Sequence, residues 1–154
     1  MKFLFTIILF FNTLIFAQEL KIIADTFSTD QMKGLSVFEG HVNIVKNNDE
    51  LNASKVTIYT DTTNKPIKFV AIGNVVFKIE TKEKAKYEGI ANKVIYLPKE
   101  SEYRFYENVH LKQLNAKKEI KGDEVVLNTT NGKAYAKGLK KEPVIMIFNI
   151  DEEK

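Results

Sequence analysis

"AIGNVVFKI", residues 71–79, decides the fold, because the chain carries two relatives of it: "FEGHVNIV" at 38–45 and "YENVHLKQ" at 106–113. The valines that anchor the copies are Val42, Val75 and Val109, spaced 33 and then 34 residues apart. Repetition at such an interval marks a chain built by stacking one supersecondary unit. Within each copy apolar and polar residues alternate, which is the period of a strand with one face in a core and the other in water. The same alternation runs through "LKIIADTF", "KVTIY", "AKYEGIA" and "EVVLNT". Turn chemistry separates these runs: "KNNDE" at 46–50, "TTNKP" at 62–66, "TKEK" at 81–84, "LPKES" at 97–101 and "TNGK" at 130–133. Asn131-Gly132 predicts a tight type I′ hairpin, in which both central residues take positive φ. Short strands with frequent turns predict an all-β sandwich, barrel or solenoid.

A second pattern lies between the copies. A small residue is followed by an apolar one three positions on and another two after that: Ala53, Val56 and Ile58; Ala91, Val94 and Tyr96; Gly122, Val125 and Leu127. A worn copy opens with Ile22, Ala24 and Phe27. Strict alternation keeps side chains on one face only at even offsets, so the step of three flips the face unless a bulge or corner intervenes. The small residue suits the tight backbone of such a corner. Each unit therefore reads as strand, turn, strand with a bend at a fixed place, and stacked units give a folded-over sheet with two apolar inner faces. The inward set is Val42, Ile44, Val56, Ile58, Val75, Phe77, Ile79, Val94, Tyr96, Val109, Leu111, Val125 and Leu127. Parity alone leaves open whether these residues fill a closed core or line a cleft.

Residues 1–17 read as a secretory signal peptide: Lys2, an apolar run from Phe3 to Phe16, and Ala17 before the cut. The run is shorter than the roughly 20 residues that span a bilayer. Residues 18–154 then form one domain, long enough for a real core. There is no cysteine, which excludes disulfides, thiolate catalysis, thiolate metal sites and a lipoprotein anchor. The net charge of +3 is carried by scattered lysines, with Arg104 the single arginine, and gives no reason to expect nucleic acid. His41 and His110 fall on the face opposite Val42 and Val109, so both are expected at exposed strand positions. No metal-ligand spacing, nucleophile elbow or phosphate loop occurs, so neither enzyme chemistry nor a cofactor is expected.

"IIADTF", "SVFEGHVNI", "LNASKVTIY", "AIGNVVF", "YEGIANKVIY" and "IKGDEVVLNTTNG", in that order, resemble the LptA/OstA family of periplasmic lipopolysaccharide-transport proteins over roughly residues 20–137. His41 stands where the pattern has Asn, and Glu107 where it has Gly. The resemblance implies an all-β open β-jellyroll, or β-taco, of antiparallel strands built from repeated strand pairs, with an apolar cleft for acyl chains. It also implies lipopolysaccharide or lipooligosaccharide as cargo, an LptC-like inner-membrane subunit and an LptD-like outer-membrane barrel as partners, and a periplasmic location. Two other readings stay open: an LptC-like anchored subunit, and a structural β-repeat that binds no lipid. The edge positions Leu20, Ile22 and Ala24, with Val144, Met146 and Phe148 at the other end, are expected to support head-to-tail self-association, because open sheet ends carry unpaired backbone groups.

Overall fold

The computed structural model describes residues 19–150; the expected signal peptide lies outside them, as does the acidic tail from Asp151. Ten strands run in chain order: β1 Leu20–Ile23, β2 Thr26–Asp30, β3 Leu35–Lys46, β4 Asp49–Thr60, β5 Pro66–Glu80, β6 Lys86–Leu97, β7 Glu102–Gln113, β8 Lys118–Asn128, β9 Ala134–Lys137 and β10 Ile145–Phe148. Every pairing is antiparallel, in the order β1-β3-β4-β5-β6-β7-β8-β10; β2 takes the other half of β3, and β9 the other half of β8. This is the expected all-β open jellyroll.

Each long pair loses register near its middle, and β4–β5 slips a second time at Tyr59–Thr60. Glu39 pairs Lys55 and Val42 pairs Ala53, so β3 advances three residues while β4 advances two. The same slip separates Ile72–Lys93 from Val75–Ala91, and Tyr106–Glu124 from Val109–Gly122. The extra residue always lies on the odd strand. There two consecutive residues turn left-handed: Gly40 and His41 at φ 81° and 45°, Gly73 and Asn74 at 86° and 45°, Glu107 and Asn108 at 63° and 51°. Glycine takes such φ values without a Cβ penalty and Asn tolerates them, whereas Glu107 is strained. The bends align, so the sheet folds along one crease. One half-sheet comprises β2, the first halves of β3, β5 and β7, the second halves of β4, β6 and β8, and β9. The other comprises β1, the remaining halves and β10. Sequence reasoning attached the corner to Ala53, Ala91 and Gly122. Those residues sit beside it, opposite the three valines, while the left-handed pair is on the neighbouring strand.

The crease preserves the inner face through the step of three. Ala53, Val56 and Ile58 are all buried, as are Ala91 with Val94 and Val125 with Leu127. Two local expectations are corrected. "LKIIADTF" is two strands, because the crease crosses it at Ala24-Asp25, where the Asp25 N–H donates to the Gly40 carbonyl. Asn131-Gly132 is not a two-residue type I′ turn. The Asn128 N–H reaches the Lys133 carbonyl at 2.9 Å, the Asn128 side chain accepts the N–H groups of Thr130 and Asn131, and only Gly132 has positive φ. The carboxamide of Asn128 organises a wider loop than Asn-Gly by itself would dictate.

Candidate functional site

The two inner faces meet differently along the fold. Toward the C-terminal end they close on each other: Phe77 of one half-sheet stacks on Phe105 of the other at 4.4 Å between centroids. Phe105, Leu111, Val125 and Leu127 are almost completely excluded from solvent. Gly89 sits beside this stack because a Cβ there would run into the His110 backbone carbonyl on the neighbouring strand and press on the Phe77 ring at 3.0 Å. Toward the N-terminal end the faces part around a cavity of about 320 Å³, walled chiefly by Ile44, Leu51, Val56, Phe69, Ala71, Phe77, Ile79, Val94 and Tyr96, with Leu20 at its end.

All thirteen expected inward residues face the interior, eleven buried and Ile44 and Tyr96 packed against them. They do not form one continuous lining. Ile44, Val56, Phe77, Ile79, Val94 and Tyr96 border the cavity, and the other seven belong to packed core away from it. Phe69, Ala71, Leu51 and Tyr103 also border the cavity and fall outside the inward set expected from sequence. Carrying the parity of each strand across its bend, from Val75 back to Ala71 and Phe69, would have found the first two.

The mouth of the fold lies opposite the crease, where the hairpin ends of the two half-sheets approach. Two hydrogen bonds cross it among the described residues. The Lys82 N–H donates to the Thr129 carbonyl at 2.9 Å, and the Tyr103 hydroxyl donates to Asp49 Oδ2 at 3.1 Å. The other carboxylate oxygen, Oδ1, accepts the Glu80 N–H at 2.8 Å. Burial pushes the Asp49 carboxyl above its ordinary value, against the lowering effect of these two donors and of Lys46. Burial likewise holds the Tyr103 phenol well above the ordinary tyrosine value, so it is a neutral donor. Tyr103 stacks on Tyr96 at 4.4 Å, and the Lys46 ammonium sits 5.8 Å from the Tyr96 ring. A mostly apolar cavity thus carries its few convergent polar groups at one rim, the usual make-up of a ligand site.

The histidines lie outside this site. His41 is exposed on the crease, where Asp25 Oδ2 lies 2.8 Å from Nδ1 and raises the imidazole above 6.5. His110 contacts Glu119 at 2.9 Å on the outer face. The expected edge positions fall on edge strands or beside them. Leu20 and Ile22 lie on β1, Ala24 follows it, Met146 and Phe148 lie on β10, and Val144 precedes it. β10 pairs with Lys118–Lys121 of β8, a pairing that the sequence left undecided. Its four residues are each about half exposed.

Known proteins can be set beside this geometry. In fold the chain is similar to LptH, described as the LptA homologous periplasmic component of the conserved lipopolysaccharide transport device from Pseudomonas aeruginosa. The TM-score is 0.76 at 15% identity, over 86% of this chain and 96% of that one. No curated protein sequence matches the chain. Residues 21–133 match the family model for LptA/(LptD N-terminal domain) LPS transport protein. A match over that much of the sequence places the chain in the LptA/LptD N-terminal domain family of lipopolysaccharide transport proteins.

Proposed function

We propose that the chain carries lipopolysaccharide or lipooligosaccharide across the periplasm, holding lipid A acyl chains between its half-sheets. The observation that carries this reading is the apolar cavity at the N-terminal end of the fold, walled from both half-sheets. Burial of an acyl chain contributes about 0.8 kcal/mol per methylene, so a chain of about a dozen carbons gains roughly 10 kcal/mol before ordering costs. That suffices for carriage without covalent chemistry, in keeping with a transport family rather than an enzyme family. Lys46 borders the cavity, where it can pair with a lipid phosphate as a point charge.

Delivery requires hand-over at both membranes. The two edge strands at each end, β1 with β2 and β9 with β10, offer unpaired backbone to jellyroll partners: an LptC-like subunit on one side, an LptD-like barrel on the other, or further copies of this chain in between. Cleavage after Ala17 would release residues 18–154 as a single soluble domain. The test is mass spectrometry of protein isolated without detergent from its own periplasm. The expected result is a mature chain beginning near Gln18 with lipid A-containing molecules bound. A mature chain with no lipid across repeated preparations would sink the carrier reading.

A further inference from the structure

Within the cavity wall one feature does not serve acyl burial. Asp49 places a carboxylate among Tyr96, Tyr103 and Ile79, and it is tied to the opposite half-sheet through the Tyr103 hydroxyl. This is the one side chain–side chain hydrogen bond joining the half-sheets among the described residues. Asp49 opens β4 and Tyr103 lies one residue into β7, so both sit at the mouth, next to Lys46. A chain laid into the cavity past this point has to part them. Asp49 would then keep only the Glu80 N–H, and the Tyr103 hydroxyl would have no acceptor. A methylene chain repairs neither loss, and polar groups stranded in an apolar wall are costly.

Resting on the carrier reading above, we propose that Asp49 and Tyr103 select acyl chains that bear a hydroxyl group near the head end over unsubstituted chains. A hydroxyl is donor and acceptor on a single atom. Inserted between the pair, it donates to Asp49 Oδ2 and accepts from the Tyr103 hydroxyl, which restores both bonds with the half-sheets apart. Other polar substituents fit less well. A carboxylate would face the Asp49 charge, and an ester oxygen accepts but cannot donate. The position at the mouth beside Lys46 puts the recognised hydroxyl close to an anionic head, while the tail runs on toward Val56 and Phe69.

The experiment compares β-hydroxymyristic acid with myristic acid as competitors of a fluorescent fatty acid on the mature chain. Both probes share head and length, so their affinity ratio reads the hydroxyl alone. The wild type should prefer the hydroxylated acid by about tenfold or more, the order expected when a buried donor and acceptor would otherwise be left unpaired. Tyr103→Phe keeps the ring stack and Asp49→Asn keeps an acceptor for the Glu80 N–H; each should cut the preference to about threefold or less. Equal binding of the two acids by the wild type overturns the selectivity and leaves acyl carriage standing. A preference that survives in both folded variants overturns the assignment to this pair. Binding of neither acid overturns the carrier reading and the selectivity with it.

Discussion

Glu107 is the residue where the repeat works against itself. It occupies the left-handed corner position held by Gly40 and Gly73 in the other copies, at φ 63°. A left-handed conformation costs a residue with a Cβ roughly 1–2 kcal/mol. Glu107→Gly should therefore stabilise the chain by about 1 kcal/mol in urea unfolding, after allowance for the extra freedom glycine gives the unfolded state. Gly73→Ala should destabilise it by more, because the new Cβ would also collide with the Ser54 side chain. Asp49 makes a different kind of claim. Its carboxyl is raised above 3.8 by burial, so the folded chain keeps a proton that the unfolded chain has released. Stability attributable to Asp49 accordingly falls as pH rises from 3.8 through the raised value. Asp49→Asn should abolish that fall and be at least as stable as the wild type at neutral pH, measured by parallel urea melts at acid and neutral pH. A variant weaker at neutral pH would show that the hydrogen bonds from Tyr103 and Glu80 outweigh the desolvation.

Among the elements, β10 is the exposed liability. Ile145 to Phe148 has no charge on either face and half its surface in water, and only one of its edges is paired. Truncation from Val144 onward should remove concentration-dependent association in analytical ultracentrifugation while the circular dichroism stays β-rich. Persistence of the same oligomers would move the docking edge to β9. Much at this scale was legible in sequence. The 33-residue spacing and the step of three reveal strand pairs with a recurrent bend, since both follow from side-chain period alone. What parity cannot express is the chirality of the bend. The left-handed pair is spelled Gly-His, Gly-Asn and Glu-Asn, and the third spelling hides the glycine that would have identified it. Parity also tells which face a side chain takes, but not what it meets across the interior. Ile58 and Phe77 read alike in sequence, yet only Phe77 reaches the cavity. Nor could local signals show that the crease divides the N-terminal strand at Asp25, because that break depends on contact with Gly40.

For the whole molecule, the proposed carriage makes the hollow end the place to look for cargo. A photo-crosslinking amino acid at Phe69 or Ile44, inside the cavity, should capture lipopolysaccharide in cells, whereas one at Thr57, whose neighbours Val56 and Ile58 take the inner face, should not. Equal capture at both kinds of site would reverse the assignment of inside and outside. The Phe77–Phe105 stack has a kinetic meaning too. It makes a single chain a cul-de-sac, with free room for cargo at the N-terminal end and a closed door at the other. Loading has only the Asp49–Tyr103 contact at the mouth to part, but onward passage waits for two packed rings to separate. Phe105→Ala should open that door. It should cost about 3–5 kcal/mol of folding stability, as expected for a fully buried ring. In return, a fluorescent lipid should pass from one chain to the next faster than through the wild type. A molecule tuned for storage would keep such a door shut. In a relay, the opening rate of that door, more than the affinity of the pocket, would set the traffic.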